Sequence, residues 1–137
     1  MNMTRSVCVV VSVMFVGVGC TTHFETPTSA TPTPPDPSKF QSQLVKGGFA
    51  SRSFTLTTAG MIEITLTSVL PSVRVGLGVG VPNADGGACN LSRSVETIPG
   101  DSPQVTTAAD AGTYCVKIFD VGHVEDSASF SITVTHP

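Results

Sequence analysis

The side chains of this sequence best suited to chemistry are Ser102, in Gly100-Asp101-Ser102, and Asp120 and His123, in Asp120-Val121-Gly122-His123. A hydroxyl nucleophile, an imidazole base and a carboxylate to orient the imidazole are the types that acyl transfer requires. Their setting points elsewhere. Pro99-Gly100-Asp101-Ser102-Pro103 has the composition of a turn between strands, and the His123 block that of a loop after a strand. No catalytic residue is expected. Asp85, Asp101 and Asp110 are of the type that binds calcium, yet each lies in a turn sequence that favours aspartate in its own right. Gly76, Gly78 and Gly80 alternate with apolar residues and lack the spacing and following helix of a dinucleotide loop. Bare alternate positions imply close approach of another backbone, or else a flat ledge for a ligand. Neither a metal nor a cofactor is expected, and no ligand-binding residue is assigned.

The Ser102 and His123 blocks resemble the G-D-S and D-x-x-H blocks of the SGNH hydrolases. In that family the blocks stand far apart in a larger α/β domain. Here no helix follows the serine, and the family's Gly and Asn oxyanion donors are absent. A second resemblance concerns Cys20. An apolar run over residues 7–18 follows Arg5 and leads into Gly17-Val18-Gly19-Cys20. The run is shorter than the roughly 20 residues of a membrane-spanning helix and fits a signal h-region closed by small residues. It resembles a bacterial lipoprotein signal, in which the cysteine after the cleavage site takes a diacylglyceryl group. At −3, where the family prefers a large aliphatic, this chain has Gly17. The resemblance implies a signal peptide over 1–19 and lipidation at Cys20. It also implies membrane attachment, since two or more acyl chains make a stable anchor. Thr21 stands where the family's inner-membrane retention signal has Asp, which implies the outer membrane of a bacterial envelope.

Residues 20–40 are rich in Pro preceded by Thr or Ser. Such a tract holds the backbone near polyproline II and reads as a semi-rigid tether. Residues 41–137 remain for one small domain. Seven Lys/Arg face ten Asp/Glu, with one Tyr and no basic cluster, so no nucleic-acid partner is expected. Cys8 falls in the signal and Cys20 at the lipid site, which leaves Cys89 and Cys115 in a compartment that oxidises thiols. Two cysteines with no His at ligand spacing make no structural zinc site. A disulfide between them is expected, worth about 3 kcal/mol through the loop it closes. Asn90-Leu91-Ser92 is a formal glycosylation sequon, expected to be unused in a bacterium.

Alternation of apolar and polar residues dominates the domain, with no amphipathic helix. It runs through Phe54 and Leu56; through Ile62, Ile64 and Leu66; through Val73, Val75, Leu77, Val79 and Val81; through Tyr114, Val116 and Ile118; and through Phe130, Ile132 and Val134. Gly, Pro, Asn and Asp clusters separate these runs, the pattern of an all-β, two-sheet antiparallel β-sandwich. Thr113-Tyr114-Cys115 invites comparison with an immunoglobulin domain, but there the Tyr precedes the Cys by two residues and shares its face. Here the two are adjacent, so an inward Tyr114 puts Cys115 outside and its bridge over the outer face of the sheet. The final two strands are expected to share one buried face.

The strand motifs resemble the bacterial pre-peptidase C-terminal domain, a small jelly-roll-like sandwich. They are Phe54-Thr55-Leu56, Ala59-Gly60 with Ile62-Glu63-Ile64-Thr65-Leu66, Gly112-Thr113-Tyr114-Cys115-Val116-Lys117-Ile118, and Phe130-Ser131-Ile132-Thr133-Val134. The resemblance implies the fold. The acidic residues through which some members bind calcium are missing from Ala50-Ser51-Arg52-Ser53. The functional expectation is a non-enzymatic envelope lipoprotein whose sandwich binds a protein or glycan partner or shields the surface. The loop over residues 82–101, with Arg93 and Glu96, is its expected variable site. The alternatives are a structural subunit of an envelope complex and, with less behind it, a Ser hydrolase.

Overall fold

The computed structural model describes residues 37–137; the expected signal, Cys20 and most of the Pro/Thr tract lie outside the described residues. Eight strands follow one another: β1 (Ser38–Val45), β2 (Phe49–Leu56), β3 (Gly60–Leu70), β4 (Val75–Pro82), β5 (Cys89–Thr97), β6 (Val105–Ala109), β7 (Gly112–Asp120) and β8 (Ser127–Thr135). They form two antiparallel sheets of four, in the orders β1-β8-β3-β6 and β2-β7-β4-β5. Eight strands shared between two sheets in this order make a jelly roll, the all-β sandwich the alternation predicts.

The inward residues of the four central strands make the core. Ile62, Ile64 and Leu66 of β3, Val75, Leu77 and Val79 of β4, Val116 and Ile118 of β7, and Ile132 and Val134 of β8 are all buried. In β3 a strict alternation past Leu66 would send Ser68 inward. A bulge at Thr67 resets the register, so Val69 faces the core instead. Strands β7 and β8 share the core but not a sheet. β8 lies between β1 and β3, and β7 between β2 and β4, so their apolar faces meet across the sandwich. This corrects the expectation of one common face.

Three further expectations change. The domain begins at Ser38 rather than 41, because β1 pairs with β8 along its length and Phe40 packs edge-on against Phe130 at 5.1 Å. Residues 89–97 of the expected loop over 82–101 are the strand β5, paired to β4. The run from Val73 to Val81 is shortened at its start, since Val73 precedes β4, while Val81 stays in the strand but, beyond a register shift at Val79/Gly80, is 53% exposed.

Candidate functional site

Asp120 ends β7, and its carboxylate works on backbone rather than on His123's ring. Oδ2 accepts the Gly47 N–H at 2.8 Å. Oδ1 accepts the N–H groups of Gly122 at 2.8 Å, His123 at 2.9 Å and Val124 at 3.1 Å. Gly122 reaches this position at φ 95°, a conformation that L side chains rarely adopt. The Gly47 bond foremost, with those of Val124, Gly122 and His123, holds the carboxyl at about 2. One side chain thereby ties the β7–β8 loop to the β1–β2 turn. Ser102 lies in the β5–β6 connection, which is fastened to the edge of β3 by Gly100 N–H to Leu66 O at 2.9 Å and Gln104 N–H to Ile64 O at 3.0 Å. The Gln104 amide adds a strand-like pair with Leu66, accepting its N–H at 2.7 Å. Among the described residues no hydrogen bond joins Ser102 to His123. Both segments are connections between strands, as their composition predicts.

Cys89 and Cys115 are bonded, with their Cα atoms 5.8 Å apart. Cys115 sits opposite the core, flanked in its sheet by Ser53 of β2 and Gly80 of β4. Tyr114, one residue earlier, packs on the core and donates its hydroxyl to the Asp110 carbonyl at 3.0 Å. The opposite facing of Tyr114 and Cys115 is as the parity predicts. How the bridge crosses β4 depends on Gly80. The Asn90 carbonyl and the Leu91 Cα lie where a Cβ on Gly80 would stand. The start of β5 therefore folds over β4 and carries Cys89 to β7.

The other strand glycines are covered too. The Phe119 ring rests on Gly76, and the Arg93 carbonyl and Leu91 side chain close over Gly78. Of the two readings of these glycines, close approach of a neighbouring backbone holds at Gly78 and Gly80, and the ledge for a ligand does not. What lies open on this sheet is the neighbouring aromatic pair. Phe49 of β2 and Phe119 of β7 are register partners on the outer face. Lys117 Nζ sits 4.4 Å from the Phe49 ring centroid and 6.0 Å from that of Phe119, and Phe49 remains 54% exposed. The opposite sheet turns a different surface outward: Gln41, Gln43, Ser129, Ser131 and Thr133. Phe49 was not singled out from sequence. The available signal was an aromatic at the outward parity of the β2 run and another at that of the β7 run.

Arg93 and Glu96 are strand residues of β5, paired to Val79 and Gly76. Asp85, Asp101 and Asp110 lie in separate connections, β4–β5, β5–β6 and β6–β7. Among the described residues no three His, Cys, Asp or Glu side chains gather as a metal-holding group. Asn90 is exposed on β5.

No family model matches the chain, and no curated protein does. Among solved structures it is similar to the Yersinia pseudotuberculosis-derived mitogen, at 12% identity and a TM-score of 0.51, over 75% of this chain and 87% of that one. At that identity the likeness is one of fold.

Proposed function

We propose that this chain is a non-enzymatic, lipid-anchored protein of a bacterial envelope, carried on a Pro/Thr tether, whose sandwich presents the outer face of β2 and β7 to a protein or glycan partner. The observation that carries this reading is the Phe49–Lys117–Phe119 cluster. An aromatic ring half open to water, held in place by a cation over its face, is prepared for contact at little entropic cost. Aromatic residues dominate binding energy in protein interfaces, and flat rings also stack on sugars. The signal-like segment ending at Cys20 supports the anchor. The test is an affinity capture from the chain's own envelope with the wild type, Phe49→Ala and Lys117→Ala. A partner retained by the wild type and lost from Phe49→Ala supports the reading. A partner set identical in all three proteins removes this face from it.

A further inference from the structure

A second feature, on residues distinct from the Phe49 face, opens between the edge strands β1 and β2. It is a cavity of about 140 Å³, with Phe40, Phe54 and Val134 among its apolar walls and Arg52, His136 and Ser38 among its polar ones. Arg52 occupies an inward position of β2. The inward register of that strand is otherwise Ala50, Phe54 and Leu56, opposite Ile118, Tyr114 and Gly112 of β7. The side chain itself is exposed; a cation at an inward register position of an edge strand discourages edge-to-edge pairing, which accounts for its charge but not for a cavity beside it. One guanidinium nitrogen donates to the Lys39 carbonyl at 2.6 Å. That bond engages one of the five guanidinium N–H donors. Among the described residues that line the cavity none is acidic. His136 closes one side, its ring stacked on Phe54 at 5.2 Å.

We infer that this cleft is a binding site for a compact carboxylate, with Arg52 holding the acid group and the Phe40 and Phe54 rings packing on the carbons that bear it. A guanidinium fork matches two carboxylate oxygens. The apolar walls select an acid attached to carbon over a bare inorganic anion, following the usual division of labour in small-molecule sites. At about 140 Å³ the cavity is smaller than the roughly 300 Å³ at which drug-sized pockets begin. That suits a short organic acid, or the acid end of a sugar acid whose remaining ring stays outside. The inference does not rest on the proposed envelope function, and either can fail alone.

The test is nitrogen–proton correlation NMR on the full chain in a non-ionic detergent, titrated separately with sodium acetate, sodium glucuronate, glucose and sodium sulfate. Saturable shifts at the amides of Arg52, Phe54 and His136 are expected with the carboxylates. Equal response to acetate and glucuronate assigns the site to free small acids, and tighter binding of glucuronate assigns it to an acidic glycan end. Arg52→Gln should weaken binding by about tenfold or more, and Arg52→Lys, which keeps the charge but loses the fork, by less. If Arg52→Gln fails to fold, Arg52→Lys carries the comparison, and undiminished carboxylate binding by it overturns the inference. So do absent shifts with both acids, shifts of the same size with glucose or sulfate, or carboxylate shifts that survive in a folded Arg52→Gln.

Discussion

Gly80→Ala should prevent the disulfide from forming although neither cysteine is touched. A methyl group at residue 80 would collide with the Asn90 carbonyl, a backbone atom that cannot swing aside. Restoring ordinary van der Waals separation requires the start of β5 to lift by more than about 1 Å. The Cys89 and Cys115 Cα atoms are 5.8 Å apart, and bridges rarely form beyond about 6.8 Å. The lift therefore takes the pair to the limit of bridging geometry. A closed loop with a sequence separation of 26 contributes about 3.5 kcal/mol by restricting the unfolded chain, and that contribution goes with the bond. The assay is alkylation of oxidised, non-reduced protein followed by mass spectrometry, with urea unfolding alongside. Gly87→Ala is the control, since a Cβ there meets nothing within 4 Å. Both thiols should be alkylated in Gly80→Ala and protected in Gly87→Ala. Complete bridging in Gly80→Ala with unchanged stability would refute the crossing of β5 over β4 as the reason for this glycine.

Other outcomes follow from the same packing. Ile132→Ala, at a fully buried position of β8, should cost about 2–5 kcal/mol in urea unfolding through lost burial and a residual cavity. Thr133→Ala, on the outward parity, should stay within about 1 kcal/mol; equal losses at the two positions would contradict the register. The Asp120 carboxyl is lowered from 3.8 to about 2 by its backbone donors. Its stabilising effect is therefore complete above 3.8, declines as pH falls through that window and is gone below about 2. Thermal midpoints of the wild type and Asp120→Asn should converge between pH 5 and pH 2, and a constant difference across that range would speak against the four-donor arrangement.

The strands legible in the sequence are the ones the fold encloses. β3, β4, β7 and β8 each have a neighbour on both sides, so one of their faces is wholly apolar and the period of two is plain. β1, β5 and β6 escaped notice because they are sheet edges. In β1 only Leu44 is buried, and in β5 a register shift interrupts what alternation there is. β2 is also an edge, but Phe54 and Leu56 were enough to reveal it. The bridge was readable from cysteine count and parity, whereas its route over Gly80 depends on a backbone crossing that no local pattern encodes. Asp120 was recognised as a potential actor by its company with His123. Its four backbone donors come from the β7–β8 loop and from Gly47, a residue distant in sequence that only the folded chain brings near. The Arg52 cleft was invisible for the same reason, being formed by β1, β2 and the C-terminal residues together.

The most direct measurement for the central claim is metabolic labelling with a palmitate analogue, combined with membrane fractionation, of the wild type and Cys20→Ala in the native host. The account predicts a labelled, membrane-bound wild type and an unlabelled Cys20→Ala protein in the soluble fraction. A wild type without label, distributed between membrane and soluble fractions as Cys20→Ala is, would contradict it.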